Sequence, residues 1–268
     1  MFISGAILFE EAIHQQLQDG RPFGLALADL GIIAGIKVDA GAKALARHAG
    51  ESVTEGLDGL RERLQGYVAL GARFAKWRAV IEIDAGAPST ACIMANAFAL
   101  ARYAVLCQEA GLVPIVESEV LMSGDHSLQR CAQVTVQVLH EVFEQLHAQR
   151  VMLEGLLLKP NMVLSGLGHA DQDALDDVAD ATVTCLLRAV PAAVPGIAFF
   201  SGGQSAELAS ARLNAMNQRF RGRLPWPLTF SFSRAIHWVG DCQAAVGQLS
   251  RPAGRSTEKR LIAERSFA

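Results

Sequence analysis

Lysine is scarce in this chain: Lys37, Lys43, Lys76, Lys159 and Lys259 stand against nineteen arginines. Surface positive charge is therefore already supplied as arginine, and each lysine asks for a reason of its own. Net charge is -3, and like charges never run on for more than a few residues, which leaves no basic footprint for nucleic acid or an anionic membrane. The five cysteines, Cys92, Cys107, Cys131, Cys185 and Cys242, are odd in number and contain no CxxC pair, so neither a disulfide framework nor a zinc site is expected. The seven histidines carry no HExxH motif, none is assigned to catalysis, and no metal is expected. The opening segment MFISGAILFEEA is apolar for too short a stretch and runs into Glu10 and Glu11, which argues against a secretory signal or a membrane span. A soluble chain in a reducing, cytoplasmic setting is the expectation.

What is present is apolar surface in an ordered alternation. At 268 residues and 51% hydrophobic content, the length suits one α/β barrel of about 250 residues or two smaller domains. Short apolar runs, Ser4 to Phe9, Gly35 to Asp39, Phe74 to Ile83, Val113 to Val120, Leu153 to Met162, Gly196 to Ser201 and Leu228 to Ser231, read as seven strands. Amphipathic stretches at Gly56 to Leu70, Ala91 to Ala110, Ser127 to Gln149, Asp171 to Arg188 and Ser205 to Met216 read as helices. No low-complexity linker divides them, and the pattern is that of repeated βα units around a parallel sheet.

Polar residues collect within these strands or at their carboxyl ends: Lys37 and Asp39, Lys76 and Arg78, Glu117 and Glu119, Lys159, Ser201, Arg234. Residues two apart in a strand share a face, so each pair can aim into one common space, which in a barrel lies above the carboxyl ends. Lys159 closes the run Leu156, Leu157, Leu158 and is followed by Pro160. A desolvated lysine can lose its proton and attack a carbonyl as a free amine, which arginine cannot do. Lys76 and Lys37 nearby would disfavour its protonation, and Glu117 and Glu119 offer carboxylates to move protons during imine formation. The segment FFSGGQS, Phe199 to Ser205, places Ser201, Gly202 and Gly203 between a strand and a helix start, where backbone amides and the helix dipole suit an anion. Arg234, after LTFSFS, would add forked donors for a phosphate.

With these residues in hand, the chain resembles class I fructose-bisphosphate aldolase from about Ile3 to Ala235. The resemblance is carried by ISGAILFEE, GIKVDAG, GLDGLRERL, GARFAKWRAVI, GLVPIVESEV, GDHSLQRC, LEGLLLKPNMV, SGGQS, LNAMNQ and PWPLTFSFSRA. It implies a TIM-type (β/α)8 barrel and cleavage of fructose 1,6-bisphosphate to dihydroxyacetone phosphate and glyceraldehyde 3-phosphate without a metal or other cofactor, in glycolysis and gluconeogenesis. Lys159 resembles the family's Schiff-base lysine, Glu117 its proton-transferring glutamate and Lys76 the lysine beside them. Arg78, Lys37 and Glu119 resemble the substrate-contacting lining, and Ser201, Gly202 and Arg234 the site for the ketose-side phosphate. A homotetramer is the assembly the resemblance implies.

The chain also departs from that family. It begins at what corresponds to the second barrel strand, so strands 2 to 8 are expected and the first, which bears a catalytic aspartate in the family, is not. Residues 1–268 then read as one aldolase-type barrel domain with a divergent tail from about residue 236. Ser118 stands where the family has proline, and Phe232 and Ser233 where it has tyrosine and glycine. The alternative expectation is an impaired fragment or a non-catalytic interaction protein, and a transaldolase-like enzyme is a weaker third. An incomplete barrel would leave two strand edges unpaired.

Overall fold

The structure, a computed structural model, describes residues 4–232 and 262–264. Eight parallel strands close into a barrel: β1 (Gly5–Leu8), β2 (Ile33–Lys37), β5 (Phe74–Ile81), β6 (Val113–Val120), β7 (Leu157–Leu158), β8 (Ile197–Phe199), β9 (Leu228–Phe232) and β10 (Ile262–Glu264), which lies between β9 and β1. A separate antiparallel hairpin, β3 (Ala42–Ala44) and β4 (Ser52–Thr54), follows β2. The helices are α1 (Glu10–Ile13), α2 (Phe23–Asp29), α3 (Leu60–Ala69), α4 (Thr90–Glu109), α5 (Leu128–Ala148), α6 (Leu175–Ala189) and α7 (Ala206–Arg219). The seven strands expected from the sequence hold seven places in the barrel. The eighth is taken by β10, from the tail in which no element was expected.

Strand β5, FAKWRAVI, shows how the sequence divides its two faces. Ala75, Trp77, Ala79 and Ile81 are buried in the large core between strands and helices, where Trp77 stacks on Tyr103 of α4 at 5.6 Å. The alternate residues belong to the barrel interior. Its floor is a small cluster of Ile7, Phe74 and Ile115, with Leu157 against it. Gly35 is required there: a Cβ on it would lie 2.1 Å from the Phe74 ring. Above that floor on β5 come Lys76 and Arg78. The barrel thus has an apolar plug below and a polar space above.

One strand differs from expectation for a physical reason. The run Leu153 to Met162 forms a 3-10 turn at Leu153–Gly155 and only a two-residue strand, Leu157–Leu158. Beyond Leu158, Lys159 still donates its backbone N–H to Val116 at 2.8 Å, but Pro160 has none to give and Asn161 replaces the ladder with its side chain. Asn161 Oδ1 accepts from the Val120 N–H at 3.2 Å, and its Nδ2 donates to Thr135 Oγ1 at 3.0 Å. Helix α4 is long and apolar enough to cross a membrane by length and composition, yet Leu100, Ala101, Tyr103, Ala104 and Cys107 are buried in the core.

Candidate active site

The centre of the polar space is Glu117 on β6. Its Oε1 lies 3.0 Å from Lys159 Nζ, and its Oε2 lies 3.0 Å from Lys76 Nζ. The three side chains are 3%, 1% and 5% exposed, so the group is closed off from bulk water. Removing charges from water is costly unless they are mutually paired, and the carboxylate between the two lysines offsets part of that cost. The parallel register sets Lys37 beside Lys76 and Arg78 beside Glu117, and the tilt of barrel strands brings side chains from successive levels together. Lys159 Nζ also sits 5.9 Å from the centre of the Phe200 ring, at the end of β8.

A second group lies on the rim formed by β2, β5 and β6. Arg78 Nε donates to Glu119 Oε2, with Arg78 42% exposed and Glu119 8% exposed. Burial pushes the Glu119 carboxyl above its ordinary pKa, and the Arg78 guanidinium works against that rise. Lys37 Nζ donates to Asp39 Oδ1 at 2.6 Å, while Asp39 also accepts the backbone N–H groups of Gly41 (3.1 Å) and Arg78 (3.2 Å). Asp39 therefore fixes Lys37 and ties the end of β2 to β5. Ser118, between the two glutamates, is buried on the opposite face of β6 by strand alternation.

The loop after β8 is tightly made. Gly202 and Gly203 have φ of 60° and 92°, a left-handed turn that glycine adopts without strain. A Cβ on Gly202 would lie 2.3 Å from the Met122 methyl carbon, at the end of β6. Ser201 contributes the carbonyl that closes this turn, accepting from the Gln204 N–H at 3.1 Å. Ser205 then caps α7 by accepting from the Leu208 N–H at 3.2 Å.

Of the residues singled out in the sequence, Lys159, Glu117 and Lys76 form one buried cluster. Lys37, Arg78 and Glu119 line the adjacent rim, and Ser201 and Gly202 sit in the loop that follows Phe200. Arg234 and Ser233 lie outside the described residues. Sequence reasoning gave no part to Phe200 or Asn161. An aromatic residue before SGG and an amide after Lys-Pro were visible signals, but nothing in their spacing points to a lysine or a neighbouring strand.

Comparison with known proteins gives the family of the chain. Residues 1–247 match the family model described as fructose-bisphosphate aldolase class-I. A probable fructose-bisphosphate aldolase class 1 of Xanthomonas campestris pv. campestris is 58% identical over 235 residues, 88% of this chain and 70% of that protein. The cytoplasmic isozyme 2 of fructose-bisphosphate aldolase from Pisum sativum is 52% identical over 88% of this chain and 65% of its own length. The solved structure of fructose-bisphosphate aldolase from Plasmodium falciparum superposes with a TM-score of 0.84 at 47% identity, covering 92% of this chain and 73% of that one. The chain belongs to the class I fructose-bisphosphate aldolase family.

Proposed function

We infer that this protein cleaves fructose 1,6-bisphosphate reversibly into dihydroxyacetone phosphate and glyceraldehyde 3-phosphate, through an imine on Lys159 and without a metal. The single observation that carries this reading is the Glu117 carboxylate held 3.0 Å from each of two buried lysines. Lys159 has to shed a proton before its amine attacks the ketose carbonyl, and Glu117 Oε1 is within reach to take it. The same carboxylate can protonate the carbinolamine hydroxyl, which leaves as water and gives the protonated imine. That cation is the electron sink: when the C3–C4 bond breaks, the C4 hydroxyl proton leaves to a carboxylate, the aldehyde departs, and the bonding pair settles into an enamine. Protonation of the enamine and hydrolysis then return the lysine.

Lys76, on the other oxygen of Glu117, keeps a positive charge beside the carboxylate as protons move. Arg78, Glu119 and Lys37 line the route for the substrate hydroxyls and the aldehyde end. Ser201, Gly202 and Arg234 take the ketose-side phosphate, with the left-handed glycine turn and the start of α7 supporting an anion there. The cytoplasmic name of the pea relative supports a cytoplasmic setting, and the reaction class fits glycolysis and gluconeogenesis.

Borohydride reduction in the presence of dihydroxyacetone phosphate tests the reading. One adduct per chain is expected, and peptide mapping should find it on Lys159. An adduct on Lys76 with Lys159 unmodified would overturn the assignment.

A further inference from the structure

Arg212 is a buried cation that the chemistry above does not use. It lies on the inner face of α7 with Ala209, Leu213 and Met216, and only 4% of the residue is exposed. Its Nη1 donates to Gln204 Oε1 at 2.6 Å, while its Nε meets no hydrogen-bond partner among the described residues. Burial works against the charge, and Asp173, whose Oδ2 also accepts the Ser165 N–H at 2.7 Å, favours it. A side chain needed only for packing would do better as methionine or leucine at this helix position, because a buried guanidinium with a neutral partner is costly to desolvate.

The partner explains the cost. With its oxygen committed to Arg212, the Gln204 amide must turn its Nε2 the other way, where it donates to the Ser201 carbonyl at 3.0 Å and to Met162 Sδ at 3.7 Å. The Ser201 carbonyl thus accepts two hydrogen bonds from one residue, from the Gln204 backbone and from its side chain. Those bonds close the turn through Gly202 and Gly203. A glutamine held at one end only could swing out and let the turn open. Arg212 removes that freedom.

We propose that Arg212 is a positioning residue for phosphate recognition: through Gln204 it holds the Ser201–Gln204 turn in the shape that receives the ketose-side phosphate. This rests on the aldolase reading. The test compares two ketones that differ only in that phosphate. Borohydride trapping on Lys159 is measured against concentration with dihydroxyacetone phosphate and with dihydroxyacetone, for the native protein and for Arg212→Met. The half-saturating concentration of the phosphorylated ketone should rise about tenfold or more, the worth of one hydrogen bond to a charged group. That of dihydroxyacetone should not move, and Arg212→Lys should recover most of the loss. Should Arg212→Met fail to fold, Arg212→Gln, which keeps a donor but drops the charge, carries the same selective expectation at about threefold.

Equal shifts for both ketones would mark a purely structural residue and overturn the proposal, as would no shift for either. Absence of labelling of the native protein by both ketones would sink the aldolase reading, and this proposal with it. Labelling of the native protein with unchanged selectivity in the variants would sink this proposal alone.

Discussion

Glu117 and Glu119 stand two residues apart on one strand and face one space, yet their surroundings give them different work. Glu117 is shared between Lys76 and Lys159, both buried. Among the described residues Glu119 is ion-paired with Arg78, which is 42% exposed, with Lys159 a weaker favourable charge, so its own charge is less well compensated for the burial it suffers. Burial is the first cause of its raised pKa, and Arg78 the chief opposing one. A carboxyl whose folded pKa exceeds its unfolded value of about 4.3 binds its proton more readily in the folded state. The associated stability is fully present below that unfolded value and is lost as pH rises through the folded pKa. Glu119→Gln, which still accepts from Arg78 but cannot ionise, should lack this loss. In urea titrations from pH 4 upward, the stability of the native protein relative to the variant should fall and then level off. A difference that stays constant with pH would mean that burying the Glu119 carboxylate carries no penalty.

At the scale of elements, the site depends on what fills the barrel beneath it. The Phe74 ring reaches across to β2 because Gly35 has no Cβ, and the stretch from Gly35 to Lys37 therefore couples an apolar contact to a charged one. Gly35→Ala should destabilise the protein by about 2 kcal/mol or more, in line with overpacking at a tight contact. The double variant with Phe74→Leu should recover over half of that in denaturant titrations, since the two residues are direct neighbours. A neutral Gly35→Ala would refute the plug. The same pairs show how far the sequence could be read. β6 runs from Val113 to Val120 as expected, and the spacing of two between Lys76 and Arg78 and between Glu117 and Glu119 was enough to place them on one face. β7 was not legible at its true length, because Asn161 satisfies Val120 and Thr135, and neither partner is near it in sequence. The β3–β4 hairpin is three exposed residues against three with no clear alternation, and α2 is seven residues entered from Pro22 without a side-chain cap. Arg212 was illegible for a further reason: arginine at a helix position ordinarily reads as solvated, and only its burial against Gln204 shows otherwise.

For the whole molecule, the question is how the barrel closes. Gly5, Ala6 and Ile7 of β1 pair with Ile262, Ala263 and Glu264 of β10, and Ser231 and Phe232 of β9 pair with Ile262 and Ala263. Three residues therefore join the two strands that would otherwise be edges, each with a row of unpaired N–H and C=O groups. Closure also restrains β9, the strand that leads toward Arg234, and β1, whose Ile7 belongs to the barrel floor. Ala263 lies in the middle of β10 with a ladder on both sides, so a residue there that lacks an N–H should be felt by the whole barrel. Ala263→Pro should lower the melting temperature by about 4 to 8 °C, taking about 2 kcal/mol for the lost ladder bond and its strain at about 2 to 4 °C per kcal/mol for a chain of this size. Exposed edges should further make the variant self-associate with rising concentration, visible by light scattering. Ala263→Val, which keeps the N–H and suits a strand, serves as the control. If proline and valine at this position melt together and scatter alike, β10 contributes nothing to closure, and β9 and β1 must be protected in another way.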